Sequence, residues 1–390
     1  MFKSLESFKI DYRKMTILGY KIKNKALAAI GAFVLIYSLF LNEKYGMPSK
    51  IFLGAIGFAF IGLSTGNQKF LSELKAIIII VLIALSVKVT LLEAYIVPTG
   101  SMEKTIMTGD FLIGSRFVYG LKTPEWVGVP YTDIGVFIPS FQLPKFKVPK
   151  VGDVLIFKYP RDKYVKYVKR CIAGPGDTIK IHHKQVYING VLTDLPENFV
   201  FSQKEIPISM KQREIYLSSE TNINKDNMGP IVIPKKGDKF KINTTTNWRE
   251  LLPIMMMDGS TAKLVSESKS YDFTLQDPFE LHRRKDHPSV FDPYFGWGEG
   301  NLITPWSTKI LDSHFEFLEV NGKPVNELKV YEVKQDYYWA MGDNRDDSLD
   351  SRYWGLIPEK FILGEALFAY FSLDLRTWIP RLNRIGTLIN

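Results

Sequence analysis

The sequence predicts a mostly β protein in which N-terminal transmembrane helices precede the main domain. Two observations support this fold class. The mean hydropathy of the 390-residue chain is close to zero, at −0.04, because an apolar first quarter is offset by a polar remainder. Beyond residue 95, short apolar runs with a period of two residues alternate with turns rich in Gly, Pro and Asp, which is typical of β-strands.

Basic side chains dominate residues 1–25, which contain seven Lys and Arg residues against two acidic ones and contribute to a formal net charge of +9. A basic segment can indicate nucleic-acid binding, but beside apolar runs it marks the cytoplasmic side of a membrane protein. We therefore predict a cytoplasmic N-terminus and no nucleic-acid partner.

Residues 26–96 are expected to form a membrane anchor, since they contain three apolar runs, at about 26–41, 51–63 and 76–96. About twenty apolar residues normally cross a bilayer. The third run has this length and the first is marginal, whereas the second is short enough to be a re-entrant or tilted piece. With the N-terminus in the cytoplasm, three spans would place the rest of the chain outside the cytoplasm. With two spans, one end of the chain would lie on the opposite side of the membrane from this arrangement.

The remainder is predicted to be a β domain formed by residues 97–194 and 336–390, interrupted by a second β subdomain at 195–335. The hairpin dipeptide Asn-Gly occurs at residues 189–190 in the first part. The inserted segment is polar and lacks recurring patterns. Its three consecutive methionines at 255–257 are interpreted as flexible packing or a loop contact.

Several classes of site are excluded by spacing. The single cysteine, Cys171, rules out an intrachain disulfide. The turn at residues 174–177 lacks the lysine and hydroxyl of a phosphate-binding loop. The aspartate-rich residues 342–352 lack the spacing of a calcium loop, and Arg345 and Arg352 would repel a cation, so a network of Asp–Arg pairs is expected there. With five scattered histidines, we predict no metal and no cofactor.

Residues 98–102, Pro-Thr-Gly-Ser-Met, lie where the apolar segment gives way to the β domain. A serine such as Ser101 becomes a nucleophile when a nearby base takes its proton. Lys169 lies in a strand among apolar and aromatic residues, and burial would lower its pKa enough for it to act as that base. Taken singly, Gly-Ser pairs are usually turns and strand lysines usually face solvent, so both interpretations stay open at this point.

Together with residues 98–102, six more short motifs follow the apolar segment along the chain. The seven motifs lie at residues 98–102, 109–110, 152–160, 167–170, 174–177, 342–352 and 381–386. In this order the motifs resemble the type I signal peptidase family, the membrane-bound Ser/Lys leader peptidases of bacteria. The resemblance implies a signal-peptidase-like β catalytic domain, and it extends over about residues 81–177 and from 337 to the C-terminus.

The resemblance assigns roles to individual positions. Ser101 matches the nucleophile, and Lys169 matches the general base because it alone precedes an arginine and the Gly-Pro-Gly-Asp turn. The backbone N–H of Ser101, helped by the hydroxyl of Thr99, would form the oxyanion hole, and Ser348 would hydrogen-bond Lys169. The family's charged residues that support the site correspond here to Arg170, Asp350 and Arg352. Its substrate-facing residues correspond to Val97, Met102, Tyr167 and Val168.

The chain departs from the family pattern at two of these positions. The family commonly has Ser where Thr99 stands, and threonine keeps the hydroxyl. It commonly has Asn where Asp347 stands, and the additional negative charge would raise the pKa of Lys169 slightly.

The implied function is a membrane-bound serine endopeptidase that removes N-terminal signal peptides from exported preproteins after Ala-X-Ala-like sites. Its partners would be preproteins and the lipid bilayer. It would lie in the bacterial cytoplasmic membrane as a multi-pass protein, with the catalytic domain on the outer face. Two alternatives remain: a specialised Ser/Lys maturation peptidase of a secretion or conjugation system, and a catalytically silent membrane-anchored β binding domain. Loss of Ser101 or Lys169 would indicate the latter, and both are present.

Overall fold

The computed structural model describes most of the main β domain and parts of the N-terminal region. The described residues are 16–17, 20–21, 24–40, 46–65, 69–70, 72–77, 79–80, 92–120, 126–128, 135–137, 144–194, 198–212, 215–217, 223–265, 270–275, 302–306 and 315–389. The chain divides into two compact units, one of residues 1–90 with 123–141 and the other of residues 91–122 with 142–390.

The described strands and helices have the following bounds. The strands are β1 Thr16–Ile17, β2 Tyr20–Lys21, β3 Leu92–Ile96, β4 Asp110–Ser115, β5 Trp126–Gly128, β6 Gly135–Phe137, β7 Val154–Tyr159, β8 Asp162–Ala173, β9 Thr178–His182, β10 Gln185–Ile188, β11 Val191–Leu192, β12 Met228–Val232, β13 Lys239–Lys241, β14 Ala262–Val265, β15 Ser270–Phe273, β16 Leu302–Ile303, β17 Leu318–Val320, β18 Lys323–Pro324, β19 Val330–Glu332, β20 Tyr337–Met341, β21 Ile357–Pro358, β22 Ile362–Ser372 and β23 Thr387–Leu388. The helices are α1 Asn24–Phe40, α2 Gly46–Thr65, α3 Trp248–Met257 and α4 Ser351–Trp354.

In the first unit, α1 and α2 pack against each other through glycine. A Cβ atom added to Gly31 would lie 2.7 Å from the carbonyl oxygen of Gly57, and one added to Gly57 would lie 2.7 Å from the carbonyl oxygen of Gly31. Two backbones this close leave no room for a side chain at either position. The strand pairs β1–β2 and β5–β6 and the helical residues 69–70, 72–77 and 79–80 complete the described part of this unit.

The predicted transmembrane spans are not confirmed. Among the described residues, no helix combines the length and apolar character needed to cross a bilayer. Helices α1 and α2 overlap with the predicted spans at 26–41 and 51–63. Of the predicted span at 76–96, residues 81–91 lie outside the described part of the chain. Its last five residues, Leu92–Ile96, form β3 instead, because their side chains alternate between exposed and half-buried and pair in register with β4.

An eight-stranded sheet forms the framework of the second unit. Its strands follow the order β21-β20-β8-β7-β22-β4-β3, and β23 also pairs with β22. The sheet is strongly curled, since Lys166 of β8 reaches across to Glu93 of β3, with 2.8 Å between Nζ and Oε1. The confirmed mostly β architecture therefore brings the first half of β8 close to an edge strand four places away in the sheet.

Strand β7 is buried on both faces. Val154 and Ile156 pack in one apolar cluster, whereas Leu155 and Phe157 pack in another. All four are at most 2% exposed. The continuous apolar sequence Val-Leu-Ile-Phe follows from this placement, because a strand covered on both faces needs apolar side chains at successive positions.

The segment predicted as a separate insertion, 195–335, shares a core with the residues on either side of it. Strand β12 pairs with β9 in the four-stranded sheet β11-β10-β9-β12. A single cluster of buried residues extends from Ile172 to Leu356. Strands β14 to β18 form a further five-stranded sheet within the segment.

The methionines at 255–257 lie in a buried helix, so their interpretation as a loop contact was wrong. Helix α3 begins at Trp248, and the side chain of Asn247 accepts a hydrogen bond of 3.2 Å from the backbone N–H of Arg249. Every residue from Leu251 to the end of the helix is buried. Pro253 lies inside this helix, and proline in a helix interior normally kinks or ends it, so the sequence gives a weak helical signal here.

A buried ion-pair cluster joins this segment to residues 342–352. The carboxylate of Asp346 contacts Nζ of both Lys225 and Lys184, and it accepts a 2.8 Å hydrogen bond from the backbone N–H of Gln203. The Lys225 side chain is 4% exposed and that of Asp346 is fully buried. Burial opposes the charged carboxylate, but the hydrogen bonds from Lys225, Gln203 and Lys184 lower the pKa of Asp346 to about 2.

Substitution Lys225→Met is expected to lower the free energy of unfolding by about 3 kcal/mol, because it leaves a buried carboxylate short of a partner. Urea unfolding of the detergent-solubilised protein measures this change. Lys239→Met is the control, since Lys239 is 67% exposed in a 3.8 Å ion pair and should contribute less than about 1 kcal/mol. Equal stabilities of the two variants would contradict the expectation.

Candidate active site

Ser101 lies in a turn that follows β3 and is fixed at both sides. Before it, Val97 accepts a 2.8 Å hydrogen bond from the N–H of Gly109. After it, the N–H of Ile106 donates to the carbonyl oxygen of Met102 at 2.7 Å. The carbonyl oxygen of Ser101 itself accepts a 3.1 Å hydrogen bond from the N–H of Asn344. Ser101 is 9% exposed, so its hydroxyl is held in a nearly closed environment.

Gly342 allows the loop at residues 342–352 to pack directly on the serine. A Cβ atom at this position would lie 2.4 Å from the carbonyl oxygen of Ser101 and 2.3 Å from Oγ of Ser348. Contacts this short would displace backbone on one side, so only glycine fits. Two aspartates of this loop, Asp343 and Asp350, are fully buried and close enough to Lys169 to act on its charge.

Lys169 approaches Ser101 from β8. The Lys169 amine lies 2.6 Å from Oγ of Ser101 and 3.0 Å from the carbonyl oxygen of Val168. The same amine lies 5.2 Å from the centre of the Tyr167 ring. The Lys169 side chain is 2% exposed. The structure thus brings together the two residues assigned as nucleophile and base, which are 68 positions apart in the chain.

The electrostatic environment favours the neutral form of this lysine. Burial lowers the pKa of Lys169 to about 8, and the positive charge of Arg352 acts in the same direction. The carboxylates of Asp350 and Asp343 oppose the shift without cancelling it. Since an amine accepts a proton only when it is neutral, this pKa gives Lys169 a useful fraction of the basic form near neutral pH.

Two buried Asp–Arg pairs lie beside the site, one within the 342–352 cluster and one between this cluster and β8, whereas Arg345 of the predicted network pairs with no aspartate among the described residues. Arg170 donates two hydrogen bonds to Asp343, of 2.9 and 2.7 Å. Arg352 donates two of 2.8 Å to Asp350, which also accepts the N–H of Gly342 at 3.1 Å. Burial opposes the charged form of Asp350, but Arg352 holds the pKa of this carboxyl below its usual range.

Sequence reasoning did not identify Asp343 or Thr105 as part of the site. Asp343 is fully buried, and the Thr105 hydroxyl donates to its carboxylate at 2.6 Å. Asp343 also takes both hydrogen bonds from Arg170, which adjoins Lys169. The sequence signal for a role of Asp343 was its position directly after Gly342. Its partners Thr105 and Arg170 could not be predicted, because both lie more than 170 positions away in the chain.

Ser348 does not form the hydrogen bond to Lys169 that the family resemblance implied. Its Oγ is buried, and no partner among the described residues meets hydrogen-bond geometry with it. The hydroxyl lies against Gly342 and helps to lower the pKa of Asp350, more weakly than Arg352 does. The amine of Lys169 instead contacts Ser101 and the carbonyl oxygen of Val168.

The two residues assigned to the oxyanion hole differ in their exposure to solvent. Within the described part of the chain, the N–H of Ser101 donates to no acceptor, so it is free to bind a developing oxyanion. Thr99, two residues earlier, is exposed. The described residues also contain no group of His, Cys, Asp and Glu side chains that could hold a metal ion.

The four residues assigned to substrate binding divide between two clusters. Val97 and Met102 are buried in one apolar cluster, and Val168 packs against it. Tyr167 belongs to the other cluster, where its ring stacks on Trp354 with 5.1 Å between centroids and an interplanar angle of 19°. Val97, Met102 and Val168 therefore lie together on one side of β8. Tyr167 packs on the opposite side.

Two strand edges beside the site have no neighbouring strand among the described elements. Strand β3 ends the sheet and pairs only with β4. Strand β8 pairs with β20 only at Arg170, Cys171 and Ala173, which leaves the edge before Lys169 unpaired. Unpaired edges of this kind bind extended peptides through main-chain hydrogen bonds.

Comparison with known proteins identifies the family. The family model described as "Signal peptidase, peptidase S26" matches residues 70–244 and 281–371, more than half of the chain. Signal peptidase I of Buchnera aphidicola subsp. Acyrthosiphon pisum is 27% identical over 338 residues, covering 83% of this chain and 84% of the relative. Signal peptidase I of Helicobacter pylori is 26% identical, covering 76% and 80% respectively. The chain is therefore a serine peptidase that belongs to the signal peptidase family, peptidase S26.

Proposed function

We propose that this peptidase removes N-terminal signal peptides from exported preproteins, with Ser101 as nucleophile and Lys169 as general base. The observation that carries the proposal is the 2.6 Å approach of the buried Lys169 amine to Oγ of Ser101. The relatives named signal peptidase I, of which those from Buchnera and Helicobacter are examples, support the choice of substrate.

The proposed reaction begins when the neutral amine of Lys169 accepts the hydroxyl proton of Ser101. The Ser101 oxygen then forms a bond to the scissile carbonyl carbon, and the N–H of Ser101 stabilises the resulting oxyanion. When the C–N bond breaks, protonated Lys169 returns its proton to the leaving amine, and an acyl-enzyme remains. Water, deprotonated by Lys169, hydrolyses the ester and releases the signal peptide with a free carboxyl group.

The supporting residues act on Lys169 through charge and position. Arg170 and Arg352 each neutralise one of the two nearby aspartates, Asp343 and Asp350, so the carboxylates raise the pKa of Lys169 less than unpaired ones would. The hydroxyl of Thr99 is proposed as a second donor to the oxyanion. Charge stabilisation by preorganised donors of this kind typically lowers the barrier by about 3 kcal/mol for each donor.

The substrate is proposed to bind as an extended strand between β3 and the first half of β8. The unpaired edges of both strands supply main-chain hydrogen bonds on either side of the peptide. Val97, Met102 and Val168 present a closely packed apolar surface beside Ser101. A filled surface of this kind leaves space only for small side chains, which fits Ala-X-Ala cleavage sites.

The N-terminal region is proposed to anchor the enzyme in the bacterial cytoplasmic membrane, with the catalytic domain on the outer face. Large apolar side chains are exposed on both described helices of this region, among them Phe33 on α1, 70% exposed, and Phe58 on α2, 63% exposed. A lipid bilayer would cover such surfaces favourably. Anchoring would place the active site near substrates whose apolar segment is still in the membrane.

Cleavage of a purified preprotein tests the proposal. The full-length protein in detergent is expected to cut a precursor after the second alanine of its Ala-X-Ala site, as mass spectrometry of both products would show. A matched precursor with leucine at both alanine positions is expected to stay intact. Cleavage only of precursors from a dedicated secretion or conjugation system would favour a specialised peptidase, and binding without cleavage of any precursor would overturn the proposal.

A further inference from the structure

Asn344 contacts both peptide groups that flank Ser101. Its backbone N–H donates a 3.1 Å hydrogen bond to the carbonyl oxygen of Ser101, which belongs to the peptide group after the nucleophile. Its side-chain Nδ2 donates a 3.2 Å hydrogen bond to the carbonyl oxygen of Gly100, which belongs to the peptide group before it. Asn344 is 5% exposed, so both contacts are made in a nearly closed environment.

The peptide group between Gly100 and Ser101 carries the proposed oxyanion donor. A trans peptide group is planar, and its C=O and N–H bonds point in opposite directions. The hydrogen bond from Asn344 to the Gly100 carbonyl oxygen therefore also sets the direction of the Ser101 N–H, which donates to no acceptor within the described part of the chain. A donor stabilises charge in a transition state best when its direction is fixed before the reaction begins.

The Gly100 carbonyl oxygen accepts a second hydrogen bond, of 3.0 Å, from the N–H of Glu103. This bond closes a turn within the same short segment, so it moves with the turn and does not fix its orientation. The bond from Asn344 comes from a residue 244 positions away in the chain. The side chain of Asn344 therefore ties the nucleophile turn to the 342–352 loop.

The stretch that presents Asn344 is held from its other side by the segment predicted as an insertion. The N–H of Val200 donates to the carbonyl oxygen of Asp343 at 3.0 Å, and the N–H of Arg345 donates to the carbonyl oxygen of Val200 at 3.0 Å. These bonds form a parallel bridge between Val200 and Asn344, which leaves the N–H of Asn344 facing Ser101. The inserted segment thereby fixes the position from which Asn344 reaches the nucleophile turn.

The amide group of Asn344 is costly for the folded state. Its Oδ1 atom is buried and has no hydrogen-bond partner among the described residues. A buried polar atom without a partner lowers stability, whereas leucine has a similar shape and no such atom. The Nδ2 atom, in contrast, faces two acceptors, the Gly100 carbonyl oxygen and, at 3.4 Å, the carboxylate of Glu103. The benefit of the amide therefore lies in the group that Nδ2 holds.

We propose that Asn344 is a positioning residue that aligns the Ser101 N–H with the oxyanion of the transition state. This inference rests on the proposed peptidase reaction and assigns one further residue a part in it. Asn344 acts through the Gly100 carbonyl oxygen and touches neither the substrate nor the reacting atoms. Because the oxyanion forms only after attack, Asn344 contributes to the transition state and not to binding of the uncut precursor.

Substitution Asn344→Leu in the full-length protein in detergent tests this role. It removes Nδ2 and keeps the backbone N–H that donates to the Ser101 carbonyl oxygen. For an Ala-X-Ala precursor, kcat is expected to fall at least about tenfold, which is less than the roughly 10²–10³-fold cost of losing an oxyanion donor outright. KM should stay within about twofold of the wild-type value. The midpoint of the pH–rate profile should stay close to pH 8, since Lys169 is unchanged.

A peptide aldehyde that ends in the aldehyde of alanine gives a second readout. The Ser101 oxygen bonds to the aldehyde carbon, the hydroxyl proton passes to Lys169, and the aldehyde oxygen becomes an oxyanion beside the Ser101 N–H. The affinity of Asn344→Leu for this inhibitor should fall by the same factor as kcat/KM. The matched peptide alcohol cannot undergo this addition and should bind the variant and the wild type equally.

The control Asn326→Leu makes the same change at an exposed position of the same unit and should leave kcat and inhibitor affinity unchanged. The unfolding midpoint of Asn344→Leu should not fall, because leucine removes the unpaired Oδ1. An Asn344→Leu enzyme with wild-type kcat, or one whose loss lies in KM or in the pH midpoint, would contradict the positioning role. A wild type that cleaves no precursor would instead overturn the peptidase reaction on which the inference rests.

Discussion

Substitution Ser101→Ala is expected to lower kcat/KM for precursor cleavage by about 10⁵-fold, since losing the nucleophile of a serine peptidase removes nearly all of its rate enhancement. The change deletes one oxygen atom from a nearly closed site and leaves the hydrogen bond between the Ser101 carbonyl oxygen and Asn344 in place. The fold and the unfolding midpoint should therefore stay close to those of the wild type.

The comparison that makes this result specific is Ser202→Ala, because Ser202 is an exposed serine of the same unit and should retain full activity. Product formation is measured by gel and mass spectrometry with enzyme in excess, so that a single turnover is detectable. Residual cleavage within tenfold of the wild type would exclude Ser101 as the nucleophile.

Substitution Lys169→Met is expected to reduce kcat/KM by at least about 10⁴-fold, since it removes the base and keeps a side chain of similar length. The wild-type rate should rise with pH through about pH 8, because burial lowers the pKa of Lys169 to about 8 and only the neutral amine accepts a proton. Below that pH the protonated amine blocks the first step, and above it the rate should reach a plateau.

Lys180→Met serves as the matched control, since Lys180 is exposed on β9 and its loss should change neither the rate nor the pH profile. A Lys169→Met enzyme that keeps its activity, or a wild-type profile that is flat between pH 6 and 10, would show that another group acts as the base.

The sequence indicated the main architecture where local patterns are strong. Alternating strands and Asn-Gly turns predicted the β domain, and the apolar run of β7 reflects burial on both faces. The β domain was predicted to begin at residue 97, whereas β3 begins at Leu92. Residues 92–96 continue an apolar run, and their period of two is visible over only five positions. Helix α3 was missed because Pro253 lies inside it, and proline normally kinks or ends a helix.

The proposed nucleophile and base were assigned from motif order, whereas most of the contacts around them could not be predicted from the sequence. Nothing local pairs Arg170 with Asp343 rather than Asp346 or Asp347, since these carboxylates lie within five residues of each other. The choice is made by Gly342, whose missing side chain lets the loop approach Ser101 closely enough to bury Asp343.

The position of β22 in the sheet has a consequence for the order in which the enzyme becomes active during synthesis. Ser101 is attached to the β3–β4 side of the sheet and Lys169 to the β7–β8 side, and the strand that joins these two sides is β22, residues Ile362–Ser372. Until this strand leaves the ribosome, the two residues of the proposed dyad belong to separate strand pairs. A chain that has not yet reached β22 therefore lacks the strand that joins the proposed nucleophile to the proposed base, and the proposed peptidase reaction is expected only after residue 372 has been synthesised.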